Sequence, residues 1–203
     1  HKDYAEYGLN TTKLKNDLIR RKQMGNDFYG AIASVNYDNQ KNLTANIGGG
    51  WNKYDGDHWG NVLWHKVNGD IARDNNFEYY RNNAKKTDFN IYGKANYEFV
   101  KGLSAFLDLQ YRHVHYKTTG VNDKFYKNAD GTYYNHALDI HEDYNFFNPK
   151  AGFVFHLGGH RAYISVAYAG REPERNNFTD NGSYPAPKTE HLTDTELGYE
   201  YNG

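Results

Sequence analysis

A strict two-residue alternation of apolar and polar side chains constrains the fold of this chain more than any other feature. Apolar or small residues occupy every second position from Leu43 to Trp51, with polar residues or glycine between them. The same alternation returns from Phe89 to Phe99. Successive side chains of a β-strand point to opposite faces, so these segments predict strands with one apolar and one polar face. We expect an all-β protein whose sheet faces lipid or a core on one side and water on the other.

The composition argues against an ordinary aliphatic core, although 203 residues are enough to bury one. Mean hydropathy is −0.98, and the chain has 20 Tyr, 11 Phe, 3 Trp and 20 Gly. No apolar run is long enough for a membrane-spanning helix. A membrane β-strand needs an apolar residue only at every second position, so low hydropathy is compatible with a membrane barrel.

Several functional classes have little support in the sequence. The absence of cysteine excludes disulfides, thiolate zinc sites and cysteine nucleophiles. A net charge of −1 with scattered Lys and Arg argues against a nucleic-acid partner. No nucleophile elbow and no phosphate-binding loop is visible. We therefore predict that the protein is not an enzyme, and we predict no cofactor.

The predicted strands form an antiparallel meander with connections of two kinds. They cover residues 27–37, 43–54, 86–100, 103–117, 144–156 and 161–169, and a last strand begins near 191. Short turns are predicted at 38–42, 101–102 and 157–160, and long loops at 55–83, 118–143 and 171–190. Residues 1–26 are predicted as a loop, with a possible helical turn at 17–22. Alternating short and long connections place all long loops at one end, as in outer-membrane barrels, whereas a β-sandwich does not sort its loops in this way.

Aromatic residues cluster toward the ends of the predicted apolar faces. They are Tyr29, Tyr37, Trp51, Tyr97, Phe99, Tyr111, Phe153, Phe155, Tyr199 and Tyr201. Amphipathic rings favour the headgroup region of a bilayer, so the clusters predict two aromatic girdles. The high β-propensity of tyrosine is the alternative explanation.

Both ends of the sequence are abrupt. His1-Lys2-Asp3-Tyr4 has no features of a signal peptide, and the last predicted strand is still in progress when the sequence stops at Gly203. We expect the chain to be part of a longer polypeptide.

Three segments carry a family resemblance. Arg171-Glu172-Pro173 at the end of a strand, followed by Glu196-Leu197-Gly198-Tyr199, resembles the late barrel strands of TonB-dependent outer-membrane receptors. The segments 17–30 and 90–97 are also similar to receptors of this family.

The resemblance implies a barrel of about 22 strands around a plug domain. Residues 1–203 would then be a partial arc of that β-barrel, with no plug domain and an incomplete C-terminus. It also implies active transport in the outer membrane of a Gram-negative bacterium. The implied partners are outer-membrane lipid, the receptor's own plug, the inner-membrane TonB energy complex and a small nutrient. That nutrient could be an iron chelate, haem, cobalamin or an oligosaccharide.

Candidate functional residues fall into three groups, of which the first lies in or beside the predicted loops. These ligand-binding candidates are Arg20, Arg21, His58, Trp59 and Trp64. A second group, predicted as a lumen-side network, consists of Arg171, Glu172, Arg175 and Asp180. His113 and His115 share a strand face, a spacing compatible with a metal, but no third ligand is nearby and no metal site is predicted.

Two alternatives stay open from the sequence. A soluble all-β carbohydrate-binding module would use Trp59, Trp64 and tyrosines as sugar platforms, and it requires a closed core and a complete last strand. A secreted β-sheet enzyme would require a convergent acid/base pair, which the sequence does not offer.

Overall fold

A computed structural model describes residues 2–3, 15–66, 76–181 and 186–203. Its elements are β1 (Lys2–Asp3), β2 (Lys15–Asn16), β3 (Leu18–Asp38), β4 (Leu43–His65), β5 (Phe77–Val100), β6 (Leu103–Lys127), β7 (Tyr133–Leu157), β8 (His160–Arg171), α1 (Arg175–Thr179) and β9 (Glu190–Tyr201). No helix in these residues is long and apolar enough to cross a membrane.

Seven of the strands form a single antiparallel sheet in sequence order. Each strand from β3 to β9 pairs with the next strand of the chain, and β1 pairs with β2 in a separate ladder. Within the described residues, β3 and β9 are the two edges and do not pair with each other. The predicted antiparallel meander, an open arc of a β-barrel, is confirmed.

The ladder register aligns the apolar positions of neighbouring strands. Val35 pairs with Ile47, Ile47 with Gly93, Gly93 with Leu109, and Leu109 with Pro149. Residues opposite each other in a ladder point to the same face. The apolar residues therefore form one continuous surface, which we call the outer face.

The apolar band of the outer face has the width of a bilayer core. It runs from Tyr29 to Tyr37, from Leu43 to Trp51, from Leu103 to Tyr111 and from Phe147 to Phe155, nine residues in each strand. A tilted transmembrane strand needs about 9–11 residues. Aromatic rings stand at both margins, and Tyr29 packs edge-on against Trp51 with ring centroids 5.8 Å apart.

The short connections lie at one margin of the apolar band, which we call the lower end of the sheet. The opposite end is the upper end. At the β3–β4 turn, Asn39 Oδ1 accepts backbone hydrogen bonds from Lys41, Asn42 and Leu43 at 2.9–3.0 Å. At the β5–β6 turn Gly102 has φ +80°, and its amide donates to Glu98 Oε1 at 2.8 Å. Glycine accepts this left-handed backbone without steric cost, and the side-chain bonds close the turns tightly.

The opposite end differs from the prediction because the strands are much longer. β4 continues to His65 and β5 starts at Phe77, so most of the predicted loop at 55–83 is strand; its residues 67–75 lie outside the described part. The predicted loop at 118–143 is likewise mostly β6 and β7. The connection between those strands is the turn at 128–132.

Two further predictions about connections are wrong. β3 begins at Leu18, so residues 17–22 form no helical turn and the predicted N-terminal loop is shorter than 1–26. Residues 1 and 4–14 of that loop lie outside the described part. The third long connection contains α1, and its residues 182–185 are also outside the described part.

The strands continue because the apolar positions change face above the band. On β6, residues 103–111 carry apolar side chains outward, but the next outward residues are His113, His115 and Lys117. The alternate residues Val114, Tyr116 and Thr118 are buried on the inner face. They are joined there by Ala84, Tyr144, Phe146 and Phe178. The apolar side chains therefore change from the outer face to the inner face while β6 continues.

The inner face is covered here because β8 separates from β7 before β8 itself ends. The β7–β8 ladder ends at the pair Lys150 and Ala167, next to Pro149, which has no N–H to donate. The Gly170 amide donates instead to Asn148 Oδ1 at 2.9 Å. The chain then crosses the inner face as residues 172–180, which we call the inner segment.

Ile47→Arg should destabilise the protein by about 2–4 kcal/mol, because Ile47 lies in the middle of the lipid-facing band and is 63% exposed on the outer face. Asn46→Arg, on the inner face, should cost far less. Urea unfolding from phospholipid vesicles measures both values. Equal costs would contradict the assigned facing.

Candidate functional site

The inner segment is anchored to the sheet by a cluster of charges. Glu172 accepts from Lys86 Nζ at 2.5 Å and from Arg112 Nη1 at 2.9 Å. Arg112 also holds Asp88, with Nη2 to Oδ2 at 2.5 Å. Two cations from β5 and β6 thus meet one carboxylate from the inner segment. Hydrogen bonds between charged groups are stronger than neutral ones, so this cluster fixes where the segment lies.

The environment of Glu172 lowers its pKa. Burial by itself would raise the pKa of this carboxyl group. The hydrogen bond from Lys86, a backbone hydrogen bond and the charges of Lys86 and Arg112 outweigh burial and lower the pKa to about 2. Glu172 is therefore ionised at all physiological pH values.

Further contacts hold the rest of the inner segment. Arg175 Nη2 donates to Asn82 Oδ1 at 2.6 Å, and Lys124 Nζ lies 2.7 Å from Asp180 Oδ2. Asn122 Nδ2 donates to the Thr179 carbonyl oxygen. The α1 turn places the Phe178 ring 5.5 Å from the Tyr116 ring. The segment is a packed and hydrogen-bonded layer over the sheet.

A cavity of about 600 Å³ lies between the inner segment and the sheet. The sheet side is formed by inner-face residues of β4 to β7, and the other side by residues 171–176 and Phe178. The sheet residues are Tyr54, His58, Ala84, Lys86, Val114, Tyr116 and Tyr144. The size is typical of small-molecule sites. We call this space the inner cavity.

Four buried polar atoms that belong to residues lining the inner cavity have no hydrogen-bond partner among the described residues. They are Tyr116 OH, Tyr144 OH, His58 Nε2 and Arg175 Nε. The two tyrosines are only 9% and 8% exposed. A buried polar atom left without a partner costs roughly 1–3 kcal/mol, so these four atoms lower the stability of the region around the cavity.

A second, more polar cavity of about 420 Å³ lies beyond the first. His58, Arg175 and Asn176 line both spaces. Lys22 and Asp123 line its other side and form an ion pair. His58 and Arg175 therefore stand where a molecule in either space would meet them.

The predicted lumen-side network is divided by the structure. Glu172, Arg175 and Asp180 lie in the inner segment and contact β5 and β6. Arg171 instead forms a surface ion pair with Glu190, at 2.6 Å between Nη2 and Oε2. The ligand role of these residues stays a prediction.

The five predicted ligand-loop residues lie in strands and not in loops. Arg20 and Arg21 belong to β3, and His58, Trp59 and Trp64 belong to β4. By register, His58 lies on the inner face and both tryptophans lie on the outer face. The Arg81 guanidinium stacks on Trp59, 5.0 Å from the ring centroid. Only His58 of this group lines the inner cavity.

The predicted histidine pair lies on the outer face just above the apolar band. His113 Nδ1 is 3.0 Å from Asn145 Oδ1, and His115 Nδ1 is 2.9 Å from Asp143 Oδ1. Within the described ranges, no group of three or more His, Asp or Glu residues is arranged to hold a metal.

Most residues of the cavity wall were not predicted from the sequence. Tyr116 and Tyr144 lay in segments assigned to a strand end or its margin, and Lys86 had no predicted role. A search for apolar residues that continue the alternation in the opposite phase would have found Val114, Tyr116 and Tyr144. Their contact with residues 172–178 has no local signature in the sequence.

The fold and the two faces of the sheet define a class of protein. A seven-strand antiparallel meander with a nine-residue apolar band and aromatic margins is an arc of a membrane β-barrel.

Comparison with known families identifies the kind of barrel. The model of a family described as TonB dependent receptor-like, beta-barrel matches residues 2–203. The chain therefore belongs to this family of outer-membrane receptors, as its resemblance had indicated. The family consists of transporters and not of enzymes. No curated protein and no solved structure matches the chain.

Glu172→Gln should lower the free energy of opening of the inner segment by about 1–3 kcal/mol, because Lys86 and Arg112 lose their shared charged acceptor. Hydrogen exchange at residues 174–181 measures that free energy. Glu190→Gln is the matched control; Glu190 is 61% exposed, against 17% for Glu172, and its loss should cost less than about 1 kcal/mol. Equal effects would show that the buried cluster does not anchor the segment.

The contribution of Glu172 should also depend on pH in a defined window. Its folded-state pKa is about 2 and its ordinary value is 4.5, so its stabilisation is complete above pH 4.5 and is lost as the pH falls toward 2. The difference in melting temperature between the wild type and Glu172→Gln should be constant from pH 8 to 5 and shrink below about pH 4.5. A difference that shrinks between pH 8 and 5 would refute this assignment.

Proposed function

We propose that this chain is part of a receptor that binds a scarce nutrient at the outer membrane and admits it with energy from the inner-membrane TonB complex. The observation that carries the proposal is the family match over residues 2–203. The nutrient classes consistent with such a receptor are iron chelates, haem, cobalamin and oligosaccharides.

The proposal includes the organisation of the receptor. Residues 1–203 are a middle-to-late portion of the barrel, and the plug domain belongs to another part of the polypeptide. Among the residues that the structure describes, β3 and β9 are unpaired edges, which supports this proposal, since a barrel strand pairs on both sides. Lipid of a Gram-negative outer membrane would cover the apolar band.

The inner face would border the transport path. Its polar residues within the band form cross-strand contacts, such as Lys94 with Asp108 at 3.3 Å and Lys150 with Glu196 at 3.7 Å. Gln110 accepts from Asn148 at 3.0 Å. Pairs of this kind suit a wet surface against which a plug can rest. Above the band, the inner segment narrows the space that a nutrient would enter.

The carbohydrate-binding module proposed as an alternative has no supporting observation. It requires the apolar residues of the sheet to pack together in a closed core. In the described residues, those of the outer face, such as Ile47, Phe153 and Leu197, are exposed instead. The Trp59 ring is engaged by Arg81.

Uptake by cells tests the proposed function. The complete receptor is expressed in a Gram-negative host that lacks its own uptake systems, and the accumulation of labelled representatives of the four nutrient classes is measured. We expect one class to accumulate, and accumulation to stop when the TonB complex is deleted or the proton gradient is collapsed. Accumulation of none of them, or accumulation that persists without the TonB complex, would refute the proposal.

A further inference from the structure

Lys86 and Arg112, which we call the carboxylate clamp, hold the first residue of the inner segment. Arg112 donates to both carboxylate oxygens of Glu172, from Nη1 to Oε2 at 2.9 Å and from Nη2 to Oε1 at 3.1 Å. Lys86 Nζ donates to Oε1 at 2.5 Å. Two parallel hydrogen bonds from one arginine match a carboxylate group in both geometry and charge.

The carboxylate clamp is positioned by the sheet and not by the inner segment. Asp88 of β5 accepts from Arg112 Nε at 3.0 Å and from Arg112 Nη2 at 2.5 Å. The β5–β6 ladder continues past both clamp residues. Without Glu172 the clamp would therefore keep its place, with two cations against the one carboxylate of Asp88.

The charges at the inner cavity balance while Glu172 is in the clamp. Three cations are matched by three carboxylates, namely Lys86, Arg112 and Arg175 against Asp88, Glu172 and Glu174. Arg171, which also lines the cavity, is paired with Glu190. A further anion beside Glu172 would have no positive charge to complement it, so an anionic ligand has to replace Glu172 and cannot join it.

The clamp can be reached from the inner cavity. Lys86 and Glu172 both line that space. The side chains of Lys86, Arg112 and Glu172 are 35%, 24% and 17% exposed, so none of them is sealed from solvent. A molecule inside the cavity can thus bring a carboxylate next to Glu172.

The anchored position of the inner segment carries a cost. The Tyr116 and Tyr144 hydroxyls, His58 Nε2 and Arg175 Nε are closed to water and have no hydrogen-bond partner among the described residues. All four belong to residues that line the space beneath the inner segment. Moving the segment away would let water reach these atoms, and their hydration would offset part of the anchor contacts that are lost.

We infer that Glu172 is an internal substitute for the carboxylate of a nutrient, and that an incoming carboxylate takes its place in the clamp and releases the inner segment from the sheet. The inference rests on the proposed function and deepens it. It names the chemical group by which the receptor recognises its nutrient, and it names the contact that keeps the passage narrow until that group arrives.

Competition between Glu172 and an added carboxylate tests the inference. The complete receptor in detergent is titrated with succinate, a dicarboxylate, by calorimetry at constant ionic strength. A ligand that must displace an internal competitor loses affinity in proportion to the fraction of molecules in which the site is free. Glu172→Ala should therefore bind succinate at least about tenfold more tightly than the wild type. Adding Arg112→Gln to Glu172→Ala should remove that gain.

A matched variant and two other ligands serve as controls. Glu190→Ala removes a carboxylate that pairs with Arg171 on the surface, and it should bind succinate within about twofold of the wild type. Glucose, which has no charge, should not gain affinity from Glu172→Ala. Inorganic phosphate should gain less than succinate, because the clamp is fitted to the planar group of Glu172.

Hydrogen exchange of the wild type tests the release and needs no variant. Succinate near saturation should speed exchange at residues 174–181 at least about tenfold, because it binds only the form in which Glu172 has left the clamp. Sodium chloride at the same ionic strength is the reference, since it separates displacement by a carboxylate from general screening of the ion pairs.

Three results would each overturn the inference. They are equal binding of succinate by Glu172→Ala and the wild type, an equal gain for phosphate or glucose, and exchange at residues 174–181 that succinate does not change. The uptake experiment separates the two proposals. TonB-dependent uptake without these effects of succinate refutes the clamp assignment alone, and the effects of succinate without TonB-dependent uptake refute the transport function alone.

Discussion

The continuous backbone ladder from β3 to β9 is the constraint on which the rest of the structure depends. A bilayer offers no hydrogen-bonding partner, so each backbone N–H and C=O inside it must be satisfied by a neighbouring strand. The same ladder fixes which side chains share a face, because a slip of one residue would turn every apolar residue inward. The row from Val35 through Ile47 to Leu109 exists only in this register. Membrane contact and strand pairing are therefore one requirement.

Each long strand meets two environments in succession. Inside the band its outer face is apolar and its inner face polar, as the alternating residues 103–112 of β6 show. Above the band the outer face meets water and the inner face is covered by the inner segment, so the apolar residues change sides. Arg112 stands at this boundary on the inner face, where it joins Asp88 of β5 to Glu172. The charge cluster thus sits where the polar lumen surface gives way to a packed interior.

The sequence predicted the part of the fold that depends on local pattern. Strand type, order, the short turns and the outward-facing residues of the band all follow from period-two alternation, and the structure has them. The parts of β4 to β7 that extend above the band were predicted to be loops, because the alternation was followed only where the apolar residues face outward. Val114 and Tyr116 continue the period of β6 with the opposite facing, and nothing in that pattern requires the strand to end. Covering by a distant segment is a tertiary effect, which local periodicity does not contain.

Only part of the candidate site could be predicted from the sequence, namely the charged group and not its partners. Arg171, Glu172, Arg175 and Asp180 stood out as a charged group after a strand, but their partners are separated from them by about sixty to ninety residues. Which of the four turns inward depends on where β8 leaves β7, and that point is set by Pro149 and by the hydrogen bond between Asn148 and Gly170. Arg171, the last residue of β8, still lies in the ladder and pairs sideways with Glu190. Glu172, one residue later, is free of the ladder and reaches the cations of β5 and β6. One strand ending thus decides which charges stay on the surface and which enclose the inner cavity.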